Sequence, residues 1–582
     1  MSGKNIVLCS DGTGNTAIKA RGTNVFKLYE AVDIQGHKFN PSLTPQVAFY
    51  DDGVGTSRLA PMKLIGGAFG YGFGKNVRDL YTELAHVYEP GDHIYLFGFS
   101  RGAYTVRALS GLIQYCGILD IKKVGYESLT RCVGDCWMAF RREAFKRVSE
   151  SQRREGQPTA DYSREDRERR ERFCAVMDDI HVPDGSVTID FVGVWDTVGA
   201  VGMPFQELRD LFNWIYPMRF SELTPSSRIT RACHALSIDD DRRTFYPELW
   251  NEKGIRATQV EQVWFAGVHS NVGGGYVKHG MSLVALDWMM AEAERCGLRF
   301  IEADRNYVRT HHDVHDELYD ARAGFGAYYR WQPRDIVRLC RDHNIFRPKI
   351  HISVFERIAN GTGCYAPLNL PSQCVVVRNN DDCPWPARTT MADIEREVTQ
   401  TEGSNTVSPD NRSLLENIRG TVRSGKMSYY TFVAATIPAL GWWYALPPFP
   451  QITHAIGQWC PYPNLVIGGL YACVGGLVWW WAKRVDDRME SVAQNHWQRH
   501  REALRGVFMK SWRAGLLRSH DMGARRDPLA VRTTPSLVVK RSVGESKTGW
   551  QKAMARGRSI SFVQNTGEPG LPPARSIAQA GF

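Results

Sequence analysis

The chain reads as an α/β protein built on a mainly parallel sheet with flanking helices, followed by two long apolar segments and a basic tail. Three observations carry this reading. Residues 1–345 alternate short apolar, β-branched runs with longer helix-like stretches. The clearest strand candidates, 5–9, 93–99, 187–195 and 262–266, each give way to polar or glycine-rich residues. Later, two stretches of about 20 residues carry no charge.

Composition sets the frame. The 582 residues are 43% hydrophobic and 23% charged, which suits a large globular core with additions. The formal charge of +10 is unevenly spread. Residues 483–582 hold 19 Lys/Arg and 8 Asp/Glu, and the remainder holds 53 and 54. The basic excess is therefore a property of the tail. Nucleic acid and an anionic lipid surface both suit such a tail. Beside the apolar segments, lipid headgroups are the expected partner and nucleic acid is not. Thirteen cysteines without a CxxC pair argue against a disulfide framework and for a reduced compartment. Cys132 and Cys136 read as helix neighbours, not metal ligands. The N-terminus shows no signal-peptide pattern.

Between the strand candidates, 138–184 reads as a charged, solvated helical insertion. The apolar segments 427–446 and 464–482 are each long enough for a hydrocarbon core of about 30 Å, so a transmembrane hairpin is expected. Aromatic residues near the ends, and Gly468, Ala472 and Gly476 at four-residue spacing, fit that expectation. Basic residues flank the hairpin and none lies in its loop, which puts the catalytic domain and the tail on the cytoplasmic side. Residues 372–426 read as a linker. Residues 485–519 read as an amphipathic helix for the membrane surface or for the main domain, and 520–582 as disordered.

The chemistry falls at the strand ends, where ligands sit in open parallel sheets. Ser100 lies in Gly98-Phe99-Ser100-Arg101-Gly102, after an apolar run and before a helical pattern at Ala103, Val106, Leu109, Leu112 and Ile113. Strand–turn–helix is the setting of a nucleophile elbow. A hydroxyl needs a base, and the base needs an acceptor that fixes its tautomer. His269, before three glycines, is the best base, with His234, His279 and His351 as rivals. Asp196, closing a strand candidate, is the best acid. The order Ser, Asp, His is that of α/β-hydrolases. The oxyanion hole draws on the N–H of Arg101 and on that of Gly12 or Thr13. Asp11 is a candidate for orienting the elbow. The stretch 69–76 fails the P-loop pattern, and Asp239–Asp241 beside Arg242 and Arg243 read as ion pairs. No metal or cofactor is called for.

Several blocks together carry a resemblance: SDGTGNT, TNVFKLYEAV, YDDGVGT, GFSRGAYTVRALSGLI, FVGVWDTVG, ALSIDDDRRTFYPELW, WFAGVHSNVGGGY and YAPLNLP. They resemble the α/β-hydrolase domain of the class-one type VI secretion lipase effectors and their uncharacterised relatives, over roughly residues 4–371. The resemblance implies serine esterase chemistry and, as in studied members, phospholipase A activity, with Ser100 as nucleophile, Asp196 as acid and His269 as base. One position departs: Asn271 stands where the family pattern has aspartate, and a site-supporting role is expected for it. The expected function is a membrane-anchored serine hydrolase of lipid esters acting beside a bilayer. A non-catalytic scaffold, a soluble-substrate esterase and a secreted effector are the alternatives.

Overall fold

An eight-stranded, fully parallel sheet in the order β2-β1-β3-β4-β5-β6-β7-β8 organises the chain. In this computed structural model the described residues are 3–12, 22–52, 67–153, 187–199, 225, 228–256, 258–323, 327–371, 374–377, 418–445 and 463–518. They belong to one compact unit, Met1–Leu529, and the second unit, Ala530–Phe582, lies outside them.

The strands are β1 (Asn5–Ser10), β2 (Gln46–Asp51), β3 (His93–Phe99), β4 (Ile189–Trp195), β5 (Ile229–Ser237), β6 (Val260–Phe265), β7 (Lys349–His351) and β8 (Val375–Val377). All four expected strands are present. The central strands are buried on both faces, which explains their near-continuous apolar runs. One face packs against α2 (Gly67–Val87), α3 (Arg101–Cys116) and α4 (Tyr126–Arg153). The other packs against α1 (Asn24–Ala31) and, beyond the short α5 (His269–Gly273), α6 (Gly280–Arg295). The rejected phosphate-loop stretch 69–76 is plain helix within α2. Cys132 and Cys136 are helix neighbours on α4, as expected. The sheet continues past residue 371 through β8, and α7 (Ile336–Asp342) and α8 (Ile352–Asn360) close that edge.

Chain order reverses between β1 and β3. The chain leaves β1 for β2 on one side and returns to place β3 on the other. That switch point opens a crevice beyond the strand ends.

The expected transmembrane hairpin is not borne out. The two apolar stretches do fall in helices, α9 (Arg419–Ala445) and α10 (Pro463–Arg518). Among the described residues, however, no helix is long and apolar enough to cross a membrane. An uncharged stretch is not a strongly apolar one: Tyr, Trp and Gly recur in both and contribute less than Leu, Ile and Val. One face of α9 is also spent on protein. Ser428 and Tyr429 are buried, and the Tyr429 hydroxyl donates to Tyr328 O at 2.8 Å. Trp481 Nε1 on α10 donates to Ser424 Oγ at 2.9 Å.

Within 485–519, the packing on the main domain that is one of the two expectations is seen at two side chains. Trp497 and Leu504 are buried beside α8, and Trp497 Nε1 donates to Pro367 O at 2.8 Å. Residues 154–184 of the insertion, the 447–462 loop, 378–417 and the 519–582 tail lie outside the described residues.

Candidate active site

Ser100 follows β3 directly, at the switch point. Its backbone is at φ 56 and ψ −118, a region that non-glycine residues avoid. Strain of this kind persists only where the surroundings enforce it. Ser100 N–H donates to Trp195 O at 3.0 Å, and α3 begins at the next residue. The flanking glycines allow the turn to close. A Cβ on Gly102 would lie 2.1 Å from Ser10 O, and one on Gly98 would lie 2.5 Å from Gly102 O. The N-terminus of α3 is thereby pressed against the end of β1.

Asp196 follows β4, the strand beside β3, and is also at positive φ, 36. It is fully buried. Its carboxylate accepts from Ser237 N–H at 3.0 Å and Ser237 Oγ at 3.1 Å. Arg334 grips both oxygens, Nη1 to Oδ1 at 2.7 Å and Nη2 to Oδ2 at 2.9 Å. Arg334 also donates to Ser237 O and Phe245 O, each at 2.6 Å. Burial alone would raise the Asp196 carboxyl; the charge and hydrogen bonds of Arg334, then those of His269, hold it well below the usual carboxylate range.

His269 opens α5 after β6. Its Nδ1 lies 2.6 Å from Asp196 Oδ2, so the N–H tautomer there leaves Nε2 as the basic nitrogen. The ring lies against Phe99, centroids 4.7 Å apart, and meets Phe245 edge-on at 5.0 Å. Phe99 precedes Ser100, so the imidazole sits next to the elbow. Burial lowers the His269 pKa against the opposing pull of Asp196, which favours the neutral base. Asp240 anchors the turn, accepting from His269 N–H at 3.2 Å and pairing with Arg242 at 2.6 Å. The ion-pair expectation for Asp240 therefore holds.

The rival histidines are engaged elsewhere. His234 Nε2 accepts from Thr197 N–H at 3.1 Å, and burial followed by Arg107 lowers its pKa to about 3. His351 Nδ1 caps α8. His279 precedes α6, with its ring nitrogens near Val277 O and the Tyr307 hydroxyl.

The oxyanion candidates separate. Arg101 N–H is a first-turn amide of α3, directly after Ser100 and at the positive end of the helix. Gly12 N–H already donates to Asp11 Oδ1 at 2.6 Å, so it is not open to an oxyanion in this conformation. Thr13 lies outside the described residues. Asp11 also accepts from Thr23 Oγ1 at 2.5 Å and the Tyr50 hydroxyl at 2.6 Å, so it ties the end of β1 to the start of α1 and to β2. Asn271 ties α5 to a loop more than 40 residues further on: Nδ2 donates to Glu317 O at 2.9 Å, and Oδ1 accepts from Tyr319 N–H at 3.3 Å. A carboxylate could not make the first of these bonds.

Sequence reasoning missed Arg334. It lies 138 residues from Asp196 in a stretch with no motif. Its one signal was the need of a buried carboxylate for a cation.

Residues 4–292 match the family model described as type VI secretion system, phospholipase effector Tle1-like, catalytic domain. An uncharacterised protein of Saccharomyces cerevisiae is 29% identical over 258 residues, covering 42% of this chain and 32% of the yeast protein. The chain thus spans about a third of that relative. Among solved structures, an uncharacterised protein from Pseudomonas aeruginosa aligns with a TM-score of 0.33 at 18% identity, over 63% of this chain and 55% of the other. The Tle1 effector bound to the VgrG spike of the type VI secretion system aligns with a TM-score of 0.24 at 16% identity, over 48% and 52%.

Proposed function

We propose, from the premise that the chain belongs to the type VI secretion phospholipase effector Tle1-like family through its domain at residues 4–292, that it is a serine hydrolase of lipid carboxylic esters. The finer reading is a phospholipase A-type lipase. Ser100 Oγ attacks the ester carbonyl carbon, and its proton passes to His269 Nε2. Asp196 holds the Nδ1–H and stabilises the imidazolium. The tetrahedral oxyanion takes the Arg101 N–H and the positive end of α3. The alcohol leaves with the proton from His269, and water then cleaves the acyl-enzyme by the same route. The effector family supports secretion as the setting for this chemistry.

The observation that carries the reading is the strained Ser100 at the switch point, beside an imidazole hydrogen-bonded to a buried carboxylate. Release of fatty acid from phospholipid vesicles tests it. Ser100→Ala is expected to abolish release while leaving the thermal melt unchanged. Full release by that variant would reject the assignment.

A further inference from the structure

Two cavities flank α9; the first lies between residues of the family-matched domain and the segments after it, the second wholly beyond that domain. The first, of about 380 Å³, is lined by the cations Arg243, Arg338, Arg419, Arg423 and Lys426. Among the described residues, Asp335 and Asp342 are the carboxylates on its wall, and both have local work. Asp335 caps α7 by accepting from Arg338 N–H, and Asp342 pairs with Arg338 at 3.6 Å across an exposed turn. Burial, then the charges of Arg330, Arg243 and Arg338, hold the Lys426 ammonium below its usual range. Crowded cations of this kind favour an anion among them. Guanidinium groups match phosphate oxygens in particular.

The second cavity, of about 350 Å³, lies on another face of α9. Trp331, Tyr429, Phe432, Tyr471, Val478 and Trp479 give it an apolar wall. On α10, Leu470, Leu477 and Trp480 fall seven and three residues apart and are 65%, 66% and 54% exposed. Beside them Arg484 lies over the Trp480 ring at 5.2 Å and Lys483 over Trp479 at 5.4 Å. Aromatic rings paired with basic heads are the equipment of a lipid–water interface.

We propose that the basic cavity docks the phosphate of an anionic phospholipid, with an acyl chain in the adjacent apolar cavity, so that α9 and α10 seat the protein on an anionic lipid surface. The two cavities share one strap: Trp331 lines the apolar one, and Gln332 and Pro333 line the basic one. The next residue, Arg334, holds Asp196. The site thus lies against the segment that supports the candidate catalytic acid. Docking does not require hydrolysis, so either reading can fail without the other.

Co-sedimentation of the full-length chain with vesicles tests the proposal. Wild type is expected to bind phosphatidylcholine vesicles doped with phosphatidylglycerol and to ignore pure phosphatidylcholine. The variant Arg338→Gln/Arg423→Gln/Lys426→Gln, which keeps the basic tail, is expected to lose about tenfold or more in affinity, and the single variant Arg423→Gln about fivefold. A control of equal charge loss on a distant exposed surface, Lys122→Gln/Lys123→Gln/Arg131→Gln, is expected to bind like wild type. Unchanged binding by the pocket variants overturns the proposal, as does an equal loss in the control. Displacement from vesicles by millimolar inorganic phosphate also overturns it, because that would mark a site for free phosphate.

Discussion

Arg334 clamps Asp196 by two parallel hydrogen bonds, 2.7 and 2.9 Å long, between side chains that are both fully buried. The clamp joins the β4 end to a strap outside the family-matched domain. It does two things at once. It neutralises a carboxylate that burial would otherwise push toward its protonated form. It also orients Oδ2 toward His269 Nδ1.

Removing this cation therefore strands a buried charge. Arg334→Met is expected to destabilise the fold by about 3–5 kcal/mol, measured by denaturant unfolding. Arg334→Lys keeps the charge and loses the fork, so it is expected to cost less. In folded Arg334→Met the unshared Asp196 charge pulls harder on His269, and the acid limb of activity is expected to move to higher pH.

Acid sensitivity follows from the same pair. The native Asp196 pKa is depressed, so its stabilising contribution is present above the unfolded value of about 3.9 and is lost as pH falls below it. The native His269 pKa is also depressed, so the unfolded chain takes up that proton first and stability declines as pH falls below about 6.5. Both contributions have one sign. Asp239 and Asp241, raised by burial to about 6 and about 7, act with the opposite sign, so the test is a comparison: the unfolding midpoint of wild type relative to His269→Gln is expected to fall as pH is lowered from neutral, and a relative rise on acidification would contradict the assignment. The acid limb of activity in the wild type is expected below the ordinary histidine value.

The elbow glycines give a steric prediction. A Cβ at Gly102 would meet the backbone of Ser10 and Asp11 at 2.1 and 2.5 Å, where no flexible side chain can yield. Gly102→Ala is expected to cost at least about 1–3 kcal/mol and to displace α3 from β1. Reaction of Ser100 with a fluorophosphonate is expected to slow, and a rate like wild type would show that the close approach does not matter.

Asn271→Asp restores the residue of the family pattern and tests what asparagine does here. The variant loses the donation to Glu317 O and sets a carboxylate against that carbonyl. A loss of about 1–3 kcal/mol in unfolding free energy is expected. A gain would mean that the loop rearranges around the carboxylate.

Docking of α10 can be tested at Trp497, buried against the α8 edge and bonded to Pro367 O. Trp497→Ala is expected to destabilise by about 3–5 kcal/mol. Protease cleavage within α10 is expected to accelerate.

Much of this site was legible because catalytic groups at strand ends announce themselves as polar residues after apolar runs. Ser100, Asp196 and His269 each have that signature, and the structure sets all three beyond the carboxyl ends of central strands. Other elements gave no such signal. β7 and β8 are three residues long, too short for periodicity to register. β5 carries Arg231 and His234 inside its run, and so does not read as a buried strand until their partners are known. Arg334 was invisible because its meaning lies wholly in a contact across 138 residues. The hairpin was over-read for the opposite reason. Absence of charge is a local signal, whereas α9 and α10 use part of their apolar surface on each other and on the 327–331 strap.

Covalent labelling by a fluorophosphonate probe, with the adduct mapped by mass spectrometry, tests the central claim most directly. The account predicts one adduct at Ser100, lost in His269→Ala and slowed in Asp196→Asn. A folded full-length chain that takes up no label, or takes it up elsewhere, would contradict it.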